Sequence, residues 1–228
     1  MIIMKVEVYY QMKKFNVKGL YNAYDRKHKE RDSLDYYSTP TEEVENILNI
    51  LNLDLKNMII LEPTCGGGHM YRGIHNYIIQ NPDNYPDAII ATDVIDRATD
   101  YQFPHDAGKE YDFLSDDYHL PIETHIDYII MNPPYSTIEP FTIRALEIAE
   151  RGVLMLGRLQ FLEGKGRYEN ILKDNPPSDI YVYVDRIKCY KNGDLSDTSS
   201  SAQAYAWFYW DLTKKIDCPR LHWIRRVE

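Results

Sequence analysis

A series of short apolar runs, each bounded by turn residues and separated by stretches of helical period, constrains this chain more than any other feature. The runs are Met58–Leu61, Ala88–Ala91, Ile126–Met131, Val153–Leu156, Ile180–Val184 and Ala204–Trp210. They have the length of strands. Continuous rather than alternating apolar character belongs to strands buried on both faces, as in a mostly parallel sheet covered by helices. Between them, Ile138–Glu150 reads as a connecting helix. An earlier helix is expected after Thr39-Pro40-Thr41-Glu42. There Thr39 is predicted to cap, Pro40 to take the first helical position and Glu42 to complete the capping spacing. Val44, Ile47, Leu48 and Leu51 then recur at helical period. The last two runs, joined by Lys191-Asn192-Gly193-Asp194 and a Ser/Thr/Asp-rich stretch, are expected to pair antiparallel at one edge. The fold class is α/β, a doubly wound and mostly parallel sheet with an antiparallel edge pair.

With 228 residues the chain suits one sizeable domain. Residues 1–37 are rich in Tyr and Lys without periodicity and read as an irregular arm, leaving 38–228 as a single domain. Cys65, Cys189 and Cys218 are scattered and odd in number, so neither a disulfide framework nor a zinc site is implied, and a reducing cytoplasm is the natural setting. The seven histidines lack ligand spacing, so no metal is expected. The first residues contain no apolar run of signal-peptide length, and no stretch approaches a membrane span.

Net charge is −9, which argues against a polyanion as partner, but the charge is unevenly spread. Residues 82–127 hold twelve acids against Arg97 and Lys109, whereas 1–37, 158–173 and 214–228 carry local balances of +3, +2 and +3. Binding to nucleic acid needs a basic face rather than a basic total.

Four motifs carry chemistry. Leu61-Glu62-Pro63-Thr64-Cys65-Gly66-Gly67-Gly68-His69 follows the first strand. Glycines there let the backbone approach a bound nucleoside, although the same residues also make an ordinary tight turn. The pattern is neither G-x-G-x-x-G nor a P-loop, so phosphate cradling is not indicated. Asp93, after the second run, stands where a ribose hydroxyl pair would be held, with Asp96 close enough to share or replace that role. Asp112-Phe113 offers an acceptor for an adenine amino group beside an aromatic ring. The fourth motif, Asn132-Pro133-Pro134-Tyr135, ends the buried run Ile126–Met131. Its two prolines remove two donors. The Pro133 carbonyl and the Asn132 side-chain oxygen can then accept both hydrogens of a planar NH2 group, while Tyr135 offers a stacking face.

In this order, glycine loop, acidic strand tip, Asp-Phe and Asn-Pro-Pro-Tyr resemble the amino-methyltransferases of the Rossmann-like class I fold. Tyr37-Ser38-Thr39-Pro40 resembles the further cofactor-binding segment of many adenine-N6 DNA methyltransferases. The stretches Arg151–Gly164 and Ala204–Trp210 are similar to a small phage or prophage group within them. The resemblance spans roughly residues 35–212. It implies S-adenosylmethionine as cofactor, contacted by Tyr37, Thr39, Pro40, Glu62, Pro63, Thr64, Gly66, Gly68, Asp93 or Asp96, Asp112, Phe113 and Asn132. It implies catalysis by Asn132, Pro133, Pro134 and Tyr135 on a flipped-out adenine, in the cytoplasm of a bacterial or phage-infected cell. Two departures stand out. Asp93-Val94-Ile95-Asp96 is one residue longer than the usual acid-x-acid, and little chain remains for a separate target-recognition domain, so a homodimer or a specificity subunit is a candidate partner.

Arg158, Lys165 and Arg167 follow the fifth run in what reads as a mobile loop flanked by Gly164 and Gly166, and are candidate nucleic-acid contacts. Trp207, Phe208 and Trp210 read as core. RNA adenine-N6 and protein glutamine-N5 methylation use the same Asn-Pro-Pro-Tyr chemistry. A cofactor-binding subunit without activity is a further alternative.

Overall fold

The computed structural model describes residues 36–97, 106–108, 111–121, 124–191, 193–194, 196 and 203–227. Nearly all of the expected arm, part of the acid-rich segment and most of the Ser/Thr/Asp-rich stretch lie outside the described residues. In chain order the elements are β1 (Tyr37–Ser38), α1 (Thr41–Leu51), β2 (Ile59–Glu62), α2 (His69–Gln80), β3 (Ala88–Asp93), β4 (Asp106–Ala107) and β5 (Ile126–Met131). There follow α3 (Ile138–Ile148), β6 (Ala149–Arg158), β7 (Asp179–Tyr183), β8 (Tyr190–Lys191), β9 (Tyr205–Asp211) and β10 (Arg220–Ile224).

The main sheet has eight strands in the order β4-β3-β2-β5-β6-β9-β7-β10, all parallel except β9. All six expected runs are strands of it. The antiparallel pairing of the last two, β7 with β9, is as expected. The edge outside them is taken by β10, which the sequence reading did not anticipate because His222 and the exposed Leu221 and Trp223 give it no buried apolar run.

Side chains of the central strands alternate between two cores. Tyr128 and Ile130 of β5, with Leu154, Leu156 and Trp207, meet Val44, Ile47 and Leu48 of α1 and Ile74, Tyr77 and Ile78 of α2. Ile129 and Met131, with Val153, Met155, Phe208 and Trp210, meet Phe141, Ile143 and Ala145 of α3. Trp207 and Phe208 are wholly buried and Trp210 nearly so, which makes them core residues as expected. The helices α1 and α2 cross closely at Gly73, where a Cβ would stand 2.5 Å from Val44 Cβ and 2.7 Å from the Thr41 carbonyl.

The start of α1 differs from the expected capping box. Pro40 is the N-cap, the helix begins at Thr41 and no side chain caps it. The physical reason is that the Thr39 hydroxyl is turned to Asn132 instead. The segment after β6 is not an open loop. It forms a 3-10 turn at Leu159–Leu162, a helical turn at Lys165–Arg167 and a π-helical turn at Tyr168–Leu172. Phe161, packed on Phe208 and Trp210, holds it to the sheet.

Candidate functional site

Because β2, β3, β5 and β6 run parallel, their carboxyl ends share one edge of the sheet, and three of the four motifs leave from it. The glycine loop turns sharply there. Gly66 (φ +49°) and Gly68 (φ +72°) adopt left-handed backbone, and a Cβ on Gly66 would overlap the Tyr36 ring. The loop's amides are held from within the protein. Cys65 N–H donates to the Thr92 carbonyl (3.0 Å), Gly66 N–H to Asp93 Oδ2 (2.8 Å) and Gly67 N–H to the Tyr36 hydroxyl (2.9 Å). The loop therefore offers a ligand closeness of approach more than spare donors.

Asp93 is buried, and its Oδ1 accepts from Ile95 N–H (2.9 Å) and Arg97 Nη1 (3.2 Å). Arg97 in turn lies 5.0 Å over the Tyr36 ring. Asp96 is exposed three residues on. Glu62 is 1% exposed and its Oε2 has no partner. Burial, then the charge of Asp93, pushes the Glu62 carboxyl well above the usual carboxylate range. Burial also pushes the Cys65 thiol up, which disfavours a reactive thiolate.

Asn132 follows directly on the fully buried β5. Its Nδ2 donates to the Tyr37 carbonyl (2.9 Å) and to Thr39 Oγ1 (3.0 Å), while its backbone N–H reaches Thr64 Oγ1 (3.3 Å). A backbone carbonyl can only accept, so the atom facing Tyr37 must be the amide nitrogen. Asn132 Oδ1 is then left buried with no partner. Leaving such an acceptor unpaired costs about 1–3 kcal/mol, which asks for a ligand that pays it back. Pairing of β1 with β8 carries Tyr37 to this position.

Tyr135 starts the turn after the prolines, and its hydroxyl donates to that of Tyr205 (2.8 Å). The Arg158 guanidinium lies 3.9 Å from the Tyr135 ring centroid, Tyr37 lies 5.1 Å from it, and Arg158 is 5.9 Å from Tyr37. On opposite faces of the ring, Arg158 and Tyr37 would be separated by nearly the sum of the first two distances, so they do not sandwich it. Burial holds the Tyr135 phenol far above its ordinary value, so it stays protonated.

Six buried side-chain polar atoms lack a partner among the described residues, and four of them belong here: Ser38 Oγ, Glu62 Oε2, Asn132 Oδ1 and Arg158 Nε. Such a concentration marks a place built for a polar ligand. Asp112 Oδ1 accepts from Leu114 N–H (3.0 Å), and Phe113, 1% exposed, packs between Tyr118 and Phe141 at 5.3 Å from each. Lys165 is exposed. Arg167 donates to the carbonyls of Phe161 (3.0 Å), Gln160 (3.2 Å) and Glu163, within its own turn. At the opposite edge, His125, Asp127 and Glu150 come within 4.8 Å of one another, but Asp127 already takes Ile59 N–H (2.8 Å) and Arg151 (3.3 Å). Tyr36, Arg97 and Tyr205 were not anticipated. The spacing of Asp93 and Arg97 hinted at a pair, whereas nothing local joins Tyr135 to Tyr205 across seventy positions.

No protein-family profile matches the chain, and no curated protein does. Solved structures share its fold. One is a protein of Listeria monocytogenes described as a class I S-adenosylmethionine-dependent methyltransferase (TM-score 0.61, 15% identity, covering 91% of this chain and 72% of that one). Another is the methyltransferase subunit of a type I restriction-modification system from Streptococcus thermophilus (0.57, 13%, 83% and 47%). A third, from Pyrococcus horikoshii, is described as an RNA methyltransferase (0.51, 16%, 85% and 96%). The chain thus spans about half the length of the restriction-modification subunit. The architecture is that of the Rossmann-like class I methyltransferases.

Proposed function

We propose that this chain transfers a methyl group from S-adenosylmethionine to an exocyclic amino group, the N6 of adenine in DNA. The observation that carries the proposal is the Asn132 amide. Its nitrogen is locked by Tyr37 and Thr39, and its buried oxygen is unpaired. That oxygen and the Pro133 carbonyl are two acceptors for the two hydrogens of one planar NH2 group. Holding both leaves the nitrogen lone pair out of the plane, directed for attack. Tyr135, fixed through Tyr205 and backed by Arg158, gives the ring of the acceptor a surface to lie on.

The residues present fit the cofactor. The left-handed glycine turn permits close approach, and the orphan Glu62 oxygen is an acceptor for its amino-acid part, which Thr39, Pro63 and Thr64 would flank. Asp93 or Asp96 would take the ribose hydroxyls, and Asp112 the adenine amino group. When bound, the cofactor supplies a methyl group on a sulfonium, whose loss to the amino nitrogen leaves a neutral thioether. The chain's own work is positioning, exclusion of water and polar complementarity, and one N–H proton leaves to solvent after transfer.

DNA as acceptor rests on the Tyr-Ser-Thr-Pro and Asn-Pro-Pro-Tyr motifs together, with 38–228 acting as a single catalytic domain. The test is incubation with methyl-labelled cofactor and, separately, duplex DNA, single-stranded DNA, RNA and total cell protein. The expected result is label in DNA that digests to N6-methyl-2′-deoxyadenosine and falls by about 10²–10³-fold in Asn132→Ala, the scale of losing one preorganised polar contact. Label in RNA or protein would overturn the acceptor while keeping the chemistry. Cofactor binding without transfer to any polymer would point to an inactive subunit.

A further inference from the structure

Far along the sheet from Asn132 lies a second surface with the chemistry of a nucleic-acid contact. An open groove of about 540 Å³ runs between α1 and the edge strand β10, lined among others by Asn46, Ile50, His222, Trp223, Arg225 and Arg226. None of its lining residues is acidic. Asp179 of β7, beside β10, is 3% exposed and already holds Arg220 (2.8 Å) and His222 (2.7 Å). Glu43, behind the tail, is likewise buried and accepts from Val227 N–H (2.8 Å). The tail is held in place at both ends of the arginine pair, since Asn46 Nδ2 also donates to the Arg225 carbonyl (3.0 Å). Arg225 and Arg226 are exposed, and neither guanidinium bonds to another described residue.

Trp223 pairs with Val182 and so points to the sheet face opposite His222 and Ile224, which places its indole at the rim of the groove, 72% exposed, more than any other large hydrophobic side chain among the described residues. One exposed aromatic is unremarkable on a protein surface. An exposed indole next to two unpaired guanidiniums on an anchored strand is the pairing that single-stranded nucleic acid requires, a flat face for a base and cations for phosphates. An acidic peptide would satisfy the arginines but would leave the indole face without a matching ring.

Topology makes the surface reachable. Because β10 runs parallel to β7, and both run parallel to β6 and β5, the arginines leave the sheet at the same edge as Asn132. Four strand spacings of about 4.8 Å separate β5 from β10, roughly 19 Å. A few nucleotides of extended strand cover that distance.

We propose that this groove binds a single-stranded stretch of the nucleic acid whose base occupies the Asn132 site, with Trp223 stacking a base and Arg225 and Arg226 holding phosphates. The proposal rests on the reading that the acceptor belongs to a nucleic acid. Its test is a binding measurement that needs no methyl transfer: fluorescence anisotropy of a labelled single-stranded oligonucleotide, DNA and RNA in turn, titrated with the full chain between 50 and 200 mM salt. Trp223→Ala is expected to weaken binding about tenfold or more, Trp223→Phe to retain most of it, and the double variant Arg225→Gln/Arg226→Gln to lower the log–log salt slope by roughly 1.4. Equal melting temperatures would show that the variants are folded. Wild-type affinity and slope in both the Ala and the double variant would overturn the proposal, as would polyglutamate competing as well as the oligonucleotide. Asn132→Ala separates the two readings. It should lose transfer and the contact to the target base while keeping the salt slope and the weakening caused by Trp223→Ala, so a failure of the catalytic reading shows in transfer and a failure of the groove shows in those two quantities.

Discussion

Asn132 was identified in the sequence as an acceptor, but its orientation was not, because the groups that orient it come from ninety-odd residues upstream. The family resemblance placed Thr39 at the cofactor, whereas the observed bond of Thr39 is to Asn132. The two roles predict different kinetics. If Thr39 acts by holding Asn132, Thr39→Val removes one hydrogen bond worth about 0.5–1.5 kcal/mol, and kcat falls several-fold to about tenfold with cofactor affinity unchanged. A loss of cofactor affinity at constant kcat, measured by calorimetry and steady-state kinetics, would assign it to the cofactor. Glu62 supports a prediction in pH. Its carboxyl titrates near 4.5 when unfolded and well above that when folded, so ionising it in the folded state costs stability. The contribution of the neutral acid is fully present below about pH 4.5 and is lost as pH rises through the raised folded value. Glu62→Gln removes that loss. Its thermal melt should exceed wild type increasingly as pH rises above about 4.5 and converge with it below that value, while cofactor binding weakens.

At the scale of elements, the six apolar runs were legible as strands because a parallel sheet covered on both faces demands unbroken apolar character. The edge strand β10 escaped for the converse reason. It is held by polar contacts to the buried Asp179 and by pairing with β7, neither of which leaves a pattern in the local sequence. The turn after β6 was misread because Gly164 and Gly166 suggest mobility, whereas Arg167 gathers three carbonyls and Phe161 anchors the segment. The crossing of α1 and α2 gives a direct test of packing. Gly73→Ala places a methyl group against Val44 and the Thr41 carbonyl with no flexible atom to yield. Overpacking of this kind costs about 1–3 kcal/mol, so the melting temperature should fall by roughly 2–12 °C. An unchanged melt would mean that the two helices separate more easily than their burial implies.

For the whole molecule, the strand order brings together what the chain disperses. Glu62, Asp93 and Arg158 end three strands and Asn132 follows a fourth, and the parallel arrangement delivers them to one edge. Four of the six unpartnered buried polar atoms among the described residues gather there, which no count along the sequence could suggest. The net charge of −9 is similarly misleading at this scale. What a polyanion meets is a face, and the arginines of the carboxyl-terminal tail share the edge of the sheet with the candidate site.

By itself the sequence determined the α/β class, six of the strands and the four motifs, because apolar periodicity and glycine and proline chemistry act over a few neighbouring residues. Tertiary structure alone decided that Tyr36 covers the glycine loop, that Asp93 braces it, that Asn132 presents its oxygen rather than its nitrogen, and that Trp223 stands beside a groove free of acids. Each of these is a relation between residues far apart in the chain. It is settled by which strands lie side by side and which hydrogen bonds then remain to be made.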